Sequence, residues 1–151
     1  MPWVGLPLAC ETVDTVLAEC TLSVVDRADQ ALAEFLRVLK PGGKLVVSDL
    51  YLRQAEGAPA LRRLPLTGCL AGAQSQQELA GRLEAHGFQI LLWEDHSAAL
   101  RQLAAQLIMA GCSVEQFWCQ ASCADTQPDA EELKRAISAA KPGYFLLVAQ
   151  C

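Results

Sequence analysis

The hydrophobic pattern divides the chain into alternating short apolar runs and amphipathic stretches. Asp14 to Cys20 (DTVLAEC) is a β-biased apolar run. A helical stretch follows, capped at Asp26 or Asp29 and reaching about Lys40. It sets Ala31, Leu32, Phe35, Leu36 and Leu39 on one face, and Pro41-Gly42-Gly43 stops it. KLVVSDLYL, from Lys44 to Leu52, is apolar, unbroken and of strand length. Arg53 to Ala73 carries Gly57, Pro59, Pro65, Gly68 and Gly72 and reads as irregular with one short helix. Ser75 and Glu78 form a capping-box pattern for the next helix, which Gly87 ends. FQILLWED is a strand, Ser97 to Ala110 an amphipathic helix ending at Gly111, and Asp129 to Ala140 a further helix closed by Lys141-Pro142-Gly143. YFLLVAQ is the last strand. The order β-α-β-loop-α-β-α-α-β, with near-continuous apolar strands, predicts an α/β domain with a parallel sheet covered on both faces.

Composition narrows the class. At 151 residues the chain is large enough for one domain with its own core, and no repeat or linker divides it. The apolar fraction is 52%, slightly above what a lone small domain needs, which reads either as a well-buried α/β core or as a surface meant for a partner. The net charge is −5 and no basic run occurs, so the phosphate-neutralising stripe of a nucleic-acid binder is missing. No apolar run reaches the roughly 20 residues of a membrane span. The opening MPWVGLPLACETVD has no basic segment followed by an apolar one, so no secretory signal is read and a cytoplasmic setting is expected. Seven cysteines in such a chain are then expected to be reduced thiols rather than a disulfide framework.

Several side chains could carry chemistry. Cys20 and Cys69 are either ordinary small buried residues or a thiol pair. Cys112, Cys119 and Cys123 have a C-x6-C-x3-C spacing unlike a zinc pattern, and packing or surface thiols are the reading; no metal site is expected. His96 is a general base or, more ordinarily, a helix cap or carboxylate partner. His86 reads as a charge partner at a helix C-terminus. Asp49, near a strand end, lies where α/β folds place ligands.

Two segments carry a family resemblance. Leu6-Pro7, then Asp14 opening a strand, then Arg37-Val38-Leu39-Lys40-Pro41-Gly42-Gly43 closing a helix, resemble the middle of a class I S-adenosylmethionine-dependent methyltransferase. A late helix followed by KPGYFLLVAQ resembles the end of that domain. Within the family, Cys20, Ser48-Asp49-Leu50-Tyr51 and Cys69-Leu70-Ala71-Gly72-Ala73 look like the corresponding stretches of arsenite methyltransferases. The resemblance implies a truncated Rossmann-like methyltransferase sheet over residues 1–151, with strands 4-5-7-6 and flanking helices and the first half missing. Strand seven would be antiparallel.

It further implies S-adenosylmethionine as cofactor, touched after strand four by Ala18, Glu19, Cys20 and Thr21. Asp49 and Tyr51 would contact the acceptor, a thiol-bound metalloid such as arsenite or another small molecule. Cys20 and Cys69 would be the catalytic thiols, since soft thiolates suit a thiophilic centre. The sequence departs from the family in several respects: the first strand with its glycine-rich loop, the acidic residue that holds the ribose and a further upstream arsenic-binding cysteine have no match. No Gly-x-Gly occurs, so the loop that brings backbone N–H groups to the cofactor is absent from these residues. Strand four would then be an open edge, and pairing of two copies through it, or a missing N-terminal half, would fill the gap. A non-catalytic module that dimerises without binding cofactor alone, and a metal- or metalloid-binding thiol protein without transfer activity, are the rival readings.

Overall fold

The computed structural model describes residues 5–113, 116, 118 and 129–151. Five strands occur among them: β1 Val13–Glu19, β2 Leu39–Leu52, β3 Gln74–Ser75, β4 Gln89–Asp95 and β5 Pro142–Gln150. The helices are α1 Ala28–Val38, α2 Ala58–Arg62 after a 3-10 turn Ala55–Gly57, α3 Gln76–Ala85, α4 Ser97–Met109 and α5 Ala130–Ala140. The strand path is β1-β2-β5-β4, with β3 against the far end of β2. β1 runs parallel to β2, and β5 is antiparallel to both β2 and β4. This is the 4-5-7-6 order that the resemblance implied.

The period-two alternation of β2 sorts its side chains to two different fates. Leu45, Val47 and Tyr51 are buried, together with Phe145, Leu147 and Ala149 of β5. Helices α1 and α3 cover this face with Ala31, Leu32, Phe35, Leu79 and Leu83. Burying one such Leu or Phe contributes roughly 1.5–3 kcal/mol, so this layer is the main source of stability. A second cluster lies at the other end, where Leu52 meets Leu61, Leu64 and Leu70 and the inner face of α5, Leu133 and Ala136. Gly57 permits that contact, since a Cβ there would lie 2.2 Å from the Ala140 amide nitrogen.

The opposite face of the sheet is barer. Leu17, Val46, Val148 and Leu92 stand in one row across four strands, by strand register. Leu17 is 69% exposed and Leu92 41%. A strand with the sequence of a buried centre therefore sits at an edge, with an apolar row facing outward.

Local signals and structure agree in most places. Ser75 and Glu78 form the capping box, and Gly87 follows α3 with φ +89°. Asp129 caps α5 by accepting from the Glu132 N–H, and Lys141 ends it in the left-handed region at φ +48°. Four details differ. Helix α1 begins without a side-chain cap from Asp26 or Asp29, and Arg27 is at its N-cap. It also ends at Val38, and β2 starts at once, so Pro41-Gly42-Gly43 does not end a helix but lies in the register shift of β2 between the Val13–Leu39 and Thr15–Lys44 pairs. Next, β3 is a two-residue strand that has no periodicity to announce it. Leu36, expected on the inner face of α1, is 37% exposed.

Candidate functional site

The site forms where β1 and β2 end and the chain turns away. Cys20 directly follows β1. Its N–H donates to the Ser48 carbonyl at 2.8 Å, which extends the ladder by one bond, and its φ of +44° swings the following loop across the strand ends. That conformation is uncommon for a residue with a Cβ, so the surroundings must hold it. They do so through Ser23. Its N–H donates to one Asp49 carboxylate oxygen at 3.0 Å and its Oγ to the other at 2.6 Å. Asp49 also accepts from the Leu50 N–H at 2.8 Å.

Cys69 arrives from the irregular segment after α2. Gly68 turns the chain at φ +78°, and Gly72 then lies directly against Ser23. A Cβ on Gly72 would stand 1.9 Å from the Ser23 carbonyl oxygen. Ser23 thus ties the Cys20 loop to both Asp49 and the Cys69 loop. The result brings the Cys20 and Cys69 sulfurs and an Asp49 oxygen within 4.8 Å of one another. The Cys20 sulfur also lies 3.8 Å from the Tyr144 hydroxyl.

Both thiols line a cavity of about 480 Å³, whose other walls are mainly apolar and include Leu50, Leu70, Leu103 and Tyr144. Cys20 is exposed and Cys69 half-buried, so neither is the ordinary core residue that free cysteine usually is. Burial pushes the Cys20 thiol above its usual pKa; the Tyr144 hydroxyl bond opposes this, while the nearby Cys69 and the Asp49 charge add to it. Burial likewise raises the Asp49 carboxyl, against the bonds from Ser23 and Leu50. Asp49 is 2% exposed. It has no cationic partner among the described residues.

The remaining candidates take different positions. Tyr51 faces the buried side of β2, where its ring meets Trp93 edge-on at 5.3 Å and Phe145 at 5.8 Å. Alternation along β2 sends it away from the cavity, and Leu50 faces the cavity instead. Of the four residues read as touching a cofactor, Cys20 lines the cavity. Ala18 is buried in the core, Glu19 is exposed, and the Thr21 hydroxyl donates back to the Glu19 carbonyl. Together they make an edge, not a cradle, for a cofactor as large as S-adenosylmethionine. His96 pairs with Glu94 at 3.0 Å and His86 with Asp29 at 3.0 Å, both remote from the thiols. Cys112 is half-buried, while Cys119 and Cys123 lie outside the described residues. Tyr144 and Ser23 had no sequence signal, because each reaches the site only through strand pairing or a turn.

An open sheet of this order, with its cavity at the carboxyl ends of the parallel strands, defines a Rossmann-like methyltransferase fold. Residues 4–47 match the family model described as a methyltransferase domain. The arsenite methyltransferase of Halobacterium salinarum is 33% identical over 86 residues, which is 56% of this chain and 22% of that protein. Among solved structures, the 4+2 cyclase SpnF is 29% identical with a TM-score of 0.65, covering 97% of this chain and 52% of SpnF. CrArsM, an arsenic(III) S-adenosylmethionine methyltransferase from Chlamydomonas reinhardtii, has the same fold, with a TM-score of 0.56 at 19% identity over 95% of this chain and 38% of that one. The chain therefore has the fold of class I S-adenosylmethionine-dependent methyltransferases and is similar, over part of its length, to arsenite methyltransferases. It spans about a fifth of the curated arsenite methyltransferase it matches.

Proposed function

We propose that this chain is the acceptor-binding portion of an S-adenosylmethionine-dependent methyltransferase, and that its acceptor is a trivalent metalloid held by Cys20 and Cys69. The observation that carries this reading is the convergence of two thiols from separate loops on one apolar cavity. A trivalent arsenic hydroxide exchanges two As–O bonds for two As–S bonds, each thiol gives up its proton, and two waters leave. No oxidant is required. The apolar walls exclude water from the product, and soft sulfur suits the soft centre.

S-adenosylmethionine is the methyl donor of the family. The edge formed by Glu19, Cys20 and Thr21 does not by itself fit so large a group, so the part played here is that of Cys20 and Cys69, which bind and orient the acceptor. The likeness to SpnF, a cyclase by its description, supports resting the assignment on the thiols and not on the fold.

Titration calorimetry tests both halves of the reading. A trivalent arsenical is expected to bind one to one, and to lose at least ~100-fold in affinity in Cys20→Ser or Cys69→Ser, as removal of a primary ligand should exceed the 10–100-fold cost of altering an outer-shell partner. Tight arsenical binding in the double variant would end the acceptor assignment. Parallel titration with S-adenosylmethionine distinguishes a chain that grips the cofactor from one that needs further residues to do so.

A second reading is favoured by the outward apolar row. In it the chain is a non-catalytic module, and two copies join through β1 into one continuous sheet. β1 has neither lysine nor proline to blunt pairing, and Leu17 on it is exposed. Light scattering at micromolar concentration should then report a dimer that Leu17→Lys dissociates. A monomer unaffected by that change removes this reading.

A further inference from the structure

We propose that Cys20, Cys69 and Asp49 form a binding site for a thiophilic divalent cation of the zinc type. The argument starts from Asp49. A carboxylate that is 2% exposed is costly unless it is paired, hydrogen-bonded or bound to a metal. Three donors reach it: two go to one oxygen, from Ser23 Oγ and the Leu50 N–H, and one goes to the other, from the Ser23 N–H. A carboxylate has about four lone-pair positions, so one remains, on the oxygen that accepts only the Ser23 N–H. No lysine, arginine or histidine among the described residues pairs with it. The two groups closest to supplying a ligand set beside it are thiols.

The spacing fits. Zinc binds cysteine sulfur at about 2.3 Å and carboxylate oxygen at about 2.0–2.2 Å in tetrahedral sites, which places ligand atoms about 3.5–3.8 Å apart. The three atoms here lie within 4.8 Å of one another. Rotation of the two cysteine side chains, both on loops, closes the difference. Three protein ligands leave a fourth position, and the cavity behind the thiols is open to receive a water there. Binding converts two thiols to thiolates and releases two protons to solvent, with no change of oxidation state. Affinity therefore rises with pH. The carboxylate distinguishes this site from the metalloid site proposed above, which uses the same thiols and needs no oxygen ligand. Zinc and a trivalent arsenical then compete for one dithiol.

The test is titration of the reduced full chain with Zn²⁺ by calorimetry, and with Co²⁺ by absorption. The expected result is one ion per chain, with tetrahedral d–d bands and thiolate-to-cobalt charge transfer of two-thiolate intensity. Cys20→Ser or Cys69→Ser should weaken Zn²⁺ at least ~100-fold. Asp49→Asn should weaken Zn²⁺ at least ~10-fold and by clearly more than it weakens phenylarsine oxide, because the loosened Ser23 clasp touches both ligands whereas the lost carboxylate ligand touches only the metal. Circular dichroism checks that this variant folds. If it does not, protection of Cys20 and Cys69 from alkylation by Zn²⁺ in the unaltered chain, read by mass spectrometry, decides the matter. The proposal is overturned if no stoichiometric binding occurs, or if binding survives Cys20→Ser/Cys69→Ser and is lost when Cys112, Cys119 and Cys123 are replaced by serine. Zinc binding without arsenical binding would support this site and sink the acceptor assignment; the reverse outcome would do the opposite.

Discussion

Gly72→Ala probes the joint on which the thiol geometry depends. The new methyl would start 1.9 Å from the Ser23 carbonyl oxygen and 2.8 Å from its carbonyl carbon, and both are backbone atoms. An ordinary contact needs more than 3 Å, so one of the two loops must retreat by roughly 1 Å or more. Ser23 cannot move that far and keep its 2.6 Å and 3.0 Å bonds to the Asp49 carboxylate. Hydrogen bonds to a charged group contribute about 1.5–3 kcal/mol each, and loosening one of them while relieving the clash should cost on the order of 2–4 kcal/mol. Urea unfolding reads that loss. The same displacement separates the Cys20 and Cys69 loops, so capture of phenylarsine oxide by both thiols should weaken by more than the stability loss alone accounts for. It can be measured under conditions where circular dichroism shows the variant folded. Stability within about 0.5 kcal/mol of the unaltered chain, with undiminished two-thiol capture, would refute the view that Ser23 clasps the two loops.

Other expectations follow from single contacts. Ser75→Ala removes the hydroxyl that accepts from the Glu78 N–H and should cost about 1 kcal/mol by urea unfolding. Glu34, held by Arg37 and the Leu6 N–H, has its carboxyl lowered from 4.5 to about 2. Because the folded value is the depressed one, its contribution is present above 4.5 and is lost as pH falls toward 2. Glu34→Gln should therefore flatten the stability profile across that window. Tyr144→Phe removes the hydroxyl that lowers the Cys20 thiol against burial, so alkylation of Cys20 near neutral pH should slow. An unchanged or faster rate would contradict that electrostatic role.

How much of this was legible depended on the range of the interaction. The capping box, the left-handed Gly87 and the Asp129 cap are local, so a few residues of sequence state them. The unbroken apolar run KLVVSDLYL announced a strand but not which of its sides held a site. It thus left Tyr51, which packs on Trp93, indistinguishable from Leu50, which lines the cavity. The cap expected from Asp26 or Asp29 did not form, because Asp29 instead pairs with His86 and Arg82 at the end of α3. A tertiary ion pair there displaced a local preference.

By itself, the sequence determined the class of the fold, since strand and helix periods and their alternation admit few packings other than an open α/β sheet. It also marked Cys20, Asp49 and Cys69 as chemically notable. Only the tertiary structure decided that these three meet. They lie 29 and 20 residues apart along the chain, on a strand end, within a second strand and on an irregular loop, and no local rule connects them. The parallel register of β1 on β2, the left-handed turn at Cys20 and the glycine at position 72 bring their sulfur and oxygen atoms together. Side-chain chemistry is written residue by residue, whereas distance between remote residues is set by the packing of the whole sheet.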